Sequence, residues 1–243
     1  MRAPDPAFAD PRLAALYDVL DSDRSDLDAY VALVEELAAT RVVDLGCGTG
    51  SLAVRLAASG LDVVGVDPAL ASLEVARAKE HGGQVTWLHG DARALAGLDP
   101  AADLVVMTGN VAQVFVSDDD WALTLDAVHA CLRPGGWFAV ETRRTEVRDW
   151  ERWDVPPTTV PVPGGGAVVV TRTVTDVALP LVTFQTTTTT GGEAVPSTST
   201  LRFRGRYEVE ADLGEHGFEL VDVRDAPDRP GKEHVFLARC RER

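Results

Sequence analysis

The sequence predicts an α/β protein: a mostly parallel sheet with helices on both faces, plus an inserted antiparallel β unit. From residue 41 to 142, short apolar strands alternate with amphipathic stretches, as in βαβ units with right-handed crossovers. From about residue 156 to 206 the texture turns Val- and Thr-rich, alternates with period two and is cut by turn residues. The 243 residues are 45% hydrophobic and 25% charged, the make-up of one enlarged globular domain that needs no metal or disulfide staple.

Residues 1–40 form the first unit, a helical segment. Leu27, Tyr30, Val31, Val34 and Leu37 share one face of a helix over 27–39, and the polar run LYDVLDSDRSD (16–26) precedes it. The second unit, 41–155, is the parallel core. RVVDLG (41–46) reads as a buried strand, and SLAVRLAASG has helical spacing up to a Gly60 stop. LDVVGVD (61–67) is a second strand, with Pro68 opening the next helix and Gly82-Gly83 ending it. QVTWLHGD (84–91) and ADLVVMTGN (102–110) are the third and fourth strands. Ser117 and three aspartates start a helix, because acids favour the positive end of its dipole. That helix runs to Arg133, where Pro134-Gly135-Gly136 breaks it before WFAVETR (137–143), the fifth strand. The third unit, 156–206, contains three antiparallel strands: AVVVTRTVTDVA, LVTFQTTTTT and STSTLRFRGR. The fourth, 207–243, returns to a helix (207–217) and closes with two strands, FELVDVRDA and HVFLARCRE.

Composition excludes several functions. Lys and Arg total 23 against 38 Asp and Glu, a net charge of −15, which repels nucleic acid and anionic membrane. No apolar run nears the ~20 residues of a membrane span, and MRAPDPAFADPRL lacks the pattern of a signal peptide. Cys47, Cys131 and Cys240 lie far apart, which suits reduced thiols in the cytoplasm and no metal site. The chain has no Ile, two Lys and one Asn, a bias that suits a GC-rich bacterial genome and singles out Asn110.

The chemistry concentrates at the strand ends, where open α/β sheets bind ligands. Val42-Val43-Asp44-Leu45-Gly46-Cys47-Gly48-Thr49-Gly50 is a glycine-rich turn that lets a ligand approach the backbone. Asp44 stands before the glycines, where a diphosphate site would rarely put a carboxylate. Asp67 ends the second strand, 17 residues after Gly50, placed to take two ribose hydroxyls. Asp91 follows the third, placed to accept from an exocyclic amine.

VVDLGCGTG, Asp67-Pro68 and His89-Gly90-Asp91-Ala92 together resemble the successive motifs of the class I S-adenosylmethionine-dependent methyltransferases. The resemblance implies a Rossmann-like seven-stranded sheet with its last strand antiparallel, and S-adenosyl-L-methionine as cofactor, leaving as S-adenosyl-L-homocysteine. It puts the turn (Gly46, Cys47, Gly48, Thr49, Gly50) and Asp44 at the methionyl part, Asp67 and Pro68 at the ribose, and Asp91 and Ala92 at the adenine. Three further segments resemble the glycine and sarcosine N-methyltransferase branch. LYDVLDSDRSDLDAY supplies Tyr17 and Arg24 to the cofactor, Arg24 pairing the methionyl carboxylate. MTGNVAQVF places Thr108 by the cofactor and Asn110 by the substrate. ETR at 141–143 gives Arg143 the acceptor's carboxylate. The Asn and Tyr that follow that Arg in the branch are Arg144 and Thr145 here, which argues against glycine itself as acceptor. The expected function is methyl transfer to a small molecule, N-methylation favoured because no His/Asp pair offers a general base. A cofactor-binding regulatory module and a nicotinamide dehydrogenase are the alternatives.

Overall fold

The computed structural model describes residues 3–98, 102–164 and 166–242. Helices α1 (Pro6–Ala9), α2 (Pro11–Ala14), α3 (Tyr17–Leu20) and α4 (Asp26–Glu36) lead into β1 (Arg41–Leu45). Next come α5 (Ser51–Ala58), β2 (Asp62–Asp67), α6 (Leu70–Ala78), β3 (Thr86–His89), β4 (Ala102–Met107), α7 (Asp118–Cys131) and β5 (Leu132–Arg143). Strands β6 (Val155–Val162), β7 (Gly166–Ala178), β8 (Leu181–Thr190) and β9 (Glu193–Arg202) follow. After them come α8 (Arg206–Glu215), β10 (Phe218–Asp225) and β11 (Glu233–Cys240).

Seven strands form one sheet in the order β10-β11-β5-β4-β1-β2-β3. β1 through β5 pair in parallel, and β11 runs antiparallel to both β5 and β10. Successive strand residues point to opposite faces, so the Val runs build two cores. Val43, Val105, Phe138 and Phe236 join α7 and α8 on one face; Val42, Leu104, Ala139 and Leu237 join α4 and α5 on the other. Ser117 caps α7 as expected, accepting from the Asp120 N–H at 3.1 Å.

A second sheet, ordered β6-β7-β8-β9, is antiparallel throughout. It has four strands rather than the expected three, because VPPTTVPV forms β6. Prolines cannot donate to a ladder, and β6 tolerates them because it is an edge, with a register shift between Val155 and Thr158. A small core of Trp150, Val182 and Phe203 seats this sheet on the turn that follows β5. Arg202 and Arg204 donate to the carbonyls of Val116, Ala112 and Ser117, tying the end of β9 to the loop after β4.

Other departures have local causes. Pro68 does not open α6: the Asp67 carboxylate accepts from the Ala69 N–H at 2.8 Å, and that turn delays the helix to Leu70. α6 stops at Ala78, not at the glycines, because extended Lys79 turns its amine to Asp18 at 2.7 Å. α7 ends at Cys131, and Pro134-Gly135-Gly136 is absorbed into β5 where its pairing with β4 shifts. Among the described residues, β3 is followed by a 3-10 turn, Ala92–Gly97, before β4. None of the described helices is long and apolar enough to cross a membrane.

Candidate active site

The glycine turn after β1 is a cradle. Gly46 has φ +80°, and a Cβ there would lie 2.5 Å from the Val111 side chain, so only glycine fits. The N–H groups of Gly46 and Cys47 donate to the Val66 carbonyl, fastening the turn to β2. A Cβ on Gly48 would meet nothing within 4 Å, so the turn faces open space. Asp67 braces it: Oδ2 accepts from the Gly48 N–H at 2.8 Å while Oδ1 holds Ala69. Thr49 donates to Asp18 at 2.7 Å, bringing α3 over the turn.

The electrostatics are acidic. Asp44 is fully buried; desolvation, with Asp67 adding repulsion, pushes its pKa up to about 7. Burial also raises Asp67, although the two backbone N–H groups oppose it. Asp91 goes the other way, because Arg93 holds its carboxylate by several hydrogen bonds. An anionic phosphate has no welcome between Asp44 and Asp67; a cation does.

These groups open onto one cavity of about 770 Å³. Tyr17, Arg24, Asp44, Gly46, Cys47, Gly48 and Thr49 line it. So do Asp67, Pro68, Asp91, Ala92, Thr108, Asn110 and Arg143. Gly50 is the exception; it serves as the left-handed cap of α5. Arg24 stands beside Asp26 at 3.3 Å, in an alignment that leaves its buried Nε without a hydrogen bond.

Asn110 is 3% exposed with φ +62°, the left-handed conformation Asn tolerates, and its Nδ2 donates to Glu233 at 2.8 Å. Among the described residues its buried Oδ1 has no hydrogen-bond partner. Arg143 donates to Gln113 at 2.7 Å and lies 3.8 Å from Glu233. Glu141 points elsewhere: Tyr30 donates to it in a short hydrogen bond, and Arg229 donates to Glu233 at 2.9 Å. Burial, then Glu233, raises the Glu141 pKa. The sequence singled out Asn110 and Arg143 but not this cluster of Glu141, Glu233, Arg143 and Arg229. It also missed the far wall, where β7, β8 and β9 present Arg172, Phe184, Thr186 and Ser199. The available signal was parity: Arg172 shares the inward register of Val168 and Val170. Among the described residues no cluster of three or more His, Cys, Asp or Glu could hold a metal.

A methyltransferase-domain family model matches residues 42–136. The cypemycin N-terminal methyltransferase of a Streptomyces species is 30% identical over 174 residues, covering 70% of each chain. A ubiquinone biosynthesis O-methyltransferase of Roseobacter denitrificans is 35% identical over 113 residues. That match covers 46% of this chain and 44% of the relative, so the chain spans about half the length of that protein. The crystal structure of an S-adenosylmethionine-dependent methyltransferase from Clostridium acetobutylicum superposes with a TM-score of 0.75 at 16% identity. It covers 95% of this chain and 98% of that one, a likeness of fold.

Proposed function

The chain belongs to the class I S-adenosylmethionine-dependent methyltransferases, and from that premise we propose that it methylates nitrogen on a small-molecule acceptor. One observation carries the reading: a single cavity of about 770 Å³ runs from the carboxylate-edged strand ends to Asn110, Arg143 and the second sheet. That volume lies in the ~300–1,000 Å³ range of small-molecule sites.

The cofactor supplies an electrophilic methyl group on a sulfonium. The residues present fit it: an open glycine cradle, buried carboxylates that favour a cation, and Arg24 on the cavity wall. In this reading Asp67 accepts from the ribose hydroxyls, and Asp91 with Ala92 borders the adenine. Arg24 and Tyr17 hold the methionyl end, and Thr108 lies where β4 meets the methyl. Asn110, fixed by Glu233, and Arg143, fixed by Gln113, orient the acceptor. A nitrogen lone pair then forms the N–C bond as the S–C bond breaks, and the spent proton leaves to water. Positioning and exclusion of water do the main catalytic work. No histidine lines the cavity among the described residues, and a neutral amine needs no base to attack.

The test is a metabolite pull-down with a non-reactive cofactor analogue, followed by turnover of the captured compound. A product methylated on nitrogen supports the reading, and one methylated on oxygen refutes it. Asn110→Ala and Arg143→Ala should each slow transfer at least tenfold, about 1.4 kcal/mol, while leaving cofactor affinity nearly intact.

A further inference from the structure

Arg143 and Arg172, two of the arginines that line the cavity, are electrically unlike. Arg143 already has a counter-charge in Glu233 at 3.8 Å and a hydrogen-bond acceptor in Gln113. Its neighbour Arg229 is satisfied by the same Glu233. The two guanidiniums therefore meet two carboxylates, Glu233 and, 3.2 Å from Arg229, Asp228, while Glu141, its pKa raised by burial, is held by Tyr30.

Arg172 has no such partner. It projects from β7 into the cavity, half-buried, and no carboxylate comes within ion-pair distance among the described residues. Its Nε donates to the Thr186 hydroxyl at 3.2 Å, its directly opposite neighbour on β8. Its guanidinium lies over the Phe184 ring at 5.2 Å, which fixes the plane of the fork. Neither terminal nitrogen has a hydrogen bond among the described residues. Burial alone lowers its pKa, and no acid acts on it. A partly desolvated guanidinium without a counter-ion favours an anionic partner, and such groups are normally paired. Side chains also line up across the sheet: Val155, Arg172, Thr186 and Ser197 form one cross-strand row, and all four face the cavity.

A ladder of rings joins the two arginines. Arg143 stacks over Trp153 at 5.2 Å, Trp153 meets Phe184 edge-on at 5.3 Å, and Phe184 carries Arg172. The second sheet is thereby held at a set distance from the core, with a cation on each side.

Resting on the reading of this cavity as a joint site for cofactor and acceptor, we propose that Arg172 binds an oxyanion carried by the acceptor. The terminal nitrogens of its fork would grip a carboxylate or a phosphate in two-point geometry. The acceptor is thus an amine that also bears an acidic group. That group docks on the second sheet while Asn110 and Arg143 orient the amine. Recognition of the acid moves from Arg143, where the family resemblance put it, to a residue of the inserted sheet.

The experiment titrates the full chain, saturated with S-adenosylhomocysteine, with inorganic phosphate and separately with acetate, chloride holding the ionic strength constant. Wild type should bind at least one anion saturably, and the stronger of the two identifies the acid. Arg172→Gln should weaken that binding at least tenfold, and Arg172→Lys, which keeps the charge but loses the fork, by less. Affinity for S-adenosylhomocysteine is measured on every sample. If Arg172→Gln loses it, Arg172→Lys carries the comparison. Wild type that binds neither anion, or binding unchanged in the Arg172 variants, overturns the proposal. Binding lost in Arg143→Lys instead returns the acid to the core and also overturns it. Wild type that fails to bind S-adenosylhomocysteine overturns the cofactor reading, a separate failure that takes this one with it.

Discussion

Asp44 is buried at the cavity wall, and its pKa of about 7 lies well above the ordinary 3.8. Between roughly pH 4 and 7 the folded state therefore holds a proton at Asp44 that the unfolded chain has released, so the contribution of Asp44 to stability is greatest below pH 4 and falls as pH rises to 7. A bound sulfonium reverses the preference by favouring the carboxylate. Calorimetry at pH 6.5 in buffers of differing ionisation enthalpy should show proton release on S-adenosylmethionine binding, and Asp44→Asn should reduce it. Equal proton release in that variant would clear Asp44 of the role. Asp67→Asn should weaken the cofactor at least tenfold, since charge-assisted hydrogen bonds of about 1.5–3 kcal/mol each are at stake. Titration of the folded variant with unchanged affinity would remove Asp67 from the site. Asp44, Asp67 and Asp91 were legible because a strand end is a position the sequence marks, and Asn110 because it is alone of its kind. Tyr30 with Glu141 and Asn110 with Glu233 were not, because their partners lie 111 and 123 residues away.

At the scale of elements, hydrophobic period was the reliable guide. Val42, Val43, Leu104 and Val105 announce strands buried on both faces, and each went where its parity sent it. β6 was hidden because its prolines mimic a loop, and only its place at an edge permits them. The seat of the second sheet was equally silent: Trp150, Val182 and Phe203 come from three separate segments. With so few fully buried apolar side chains, the second sheet has little core of its own, and fragments this small rarely stand alone. A peptide of residues 150–206 should show no cooperative thermal transition by circular dichroism; a sharp one would make it an independent domain. Phe203→Ala in the full chain should cost about 3–5 kcal/mol in denaturant unfolding, because the cavity opens where the second sheet is seated.

Across the whole molecule, a net charge of −15 surrounds a site meant for a cation. The long-range field should draw in the sulfonium cofactor and be screened by salt. Raising sodium chloride from 0.02 to 0.5 M, roughly a fivefold shorter screening length, should slow S-adenosylmethionine association more than that of the uncharged-sulfur product. Equal slowing in stopped-flow traces would confine the effect to local contacts. The second sheet ends in two edge strands, β6 and β9, and both carry proline: Pro156, Pro157 and Pro161 on one, Pro196 on the other. An open edge is a template for another chain's strand, and a missing N–H breaks the template. The residues that disguise β6 as a loop therefore also keep this Thr- and Val-rich sheet from growing into an aggregate, so the wall of the acceptor pocket can stay broad and still remain finite.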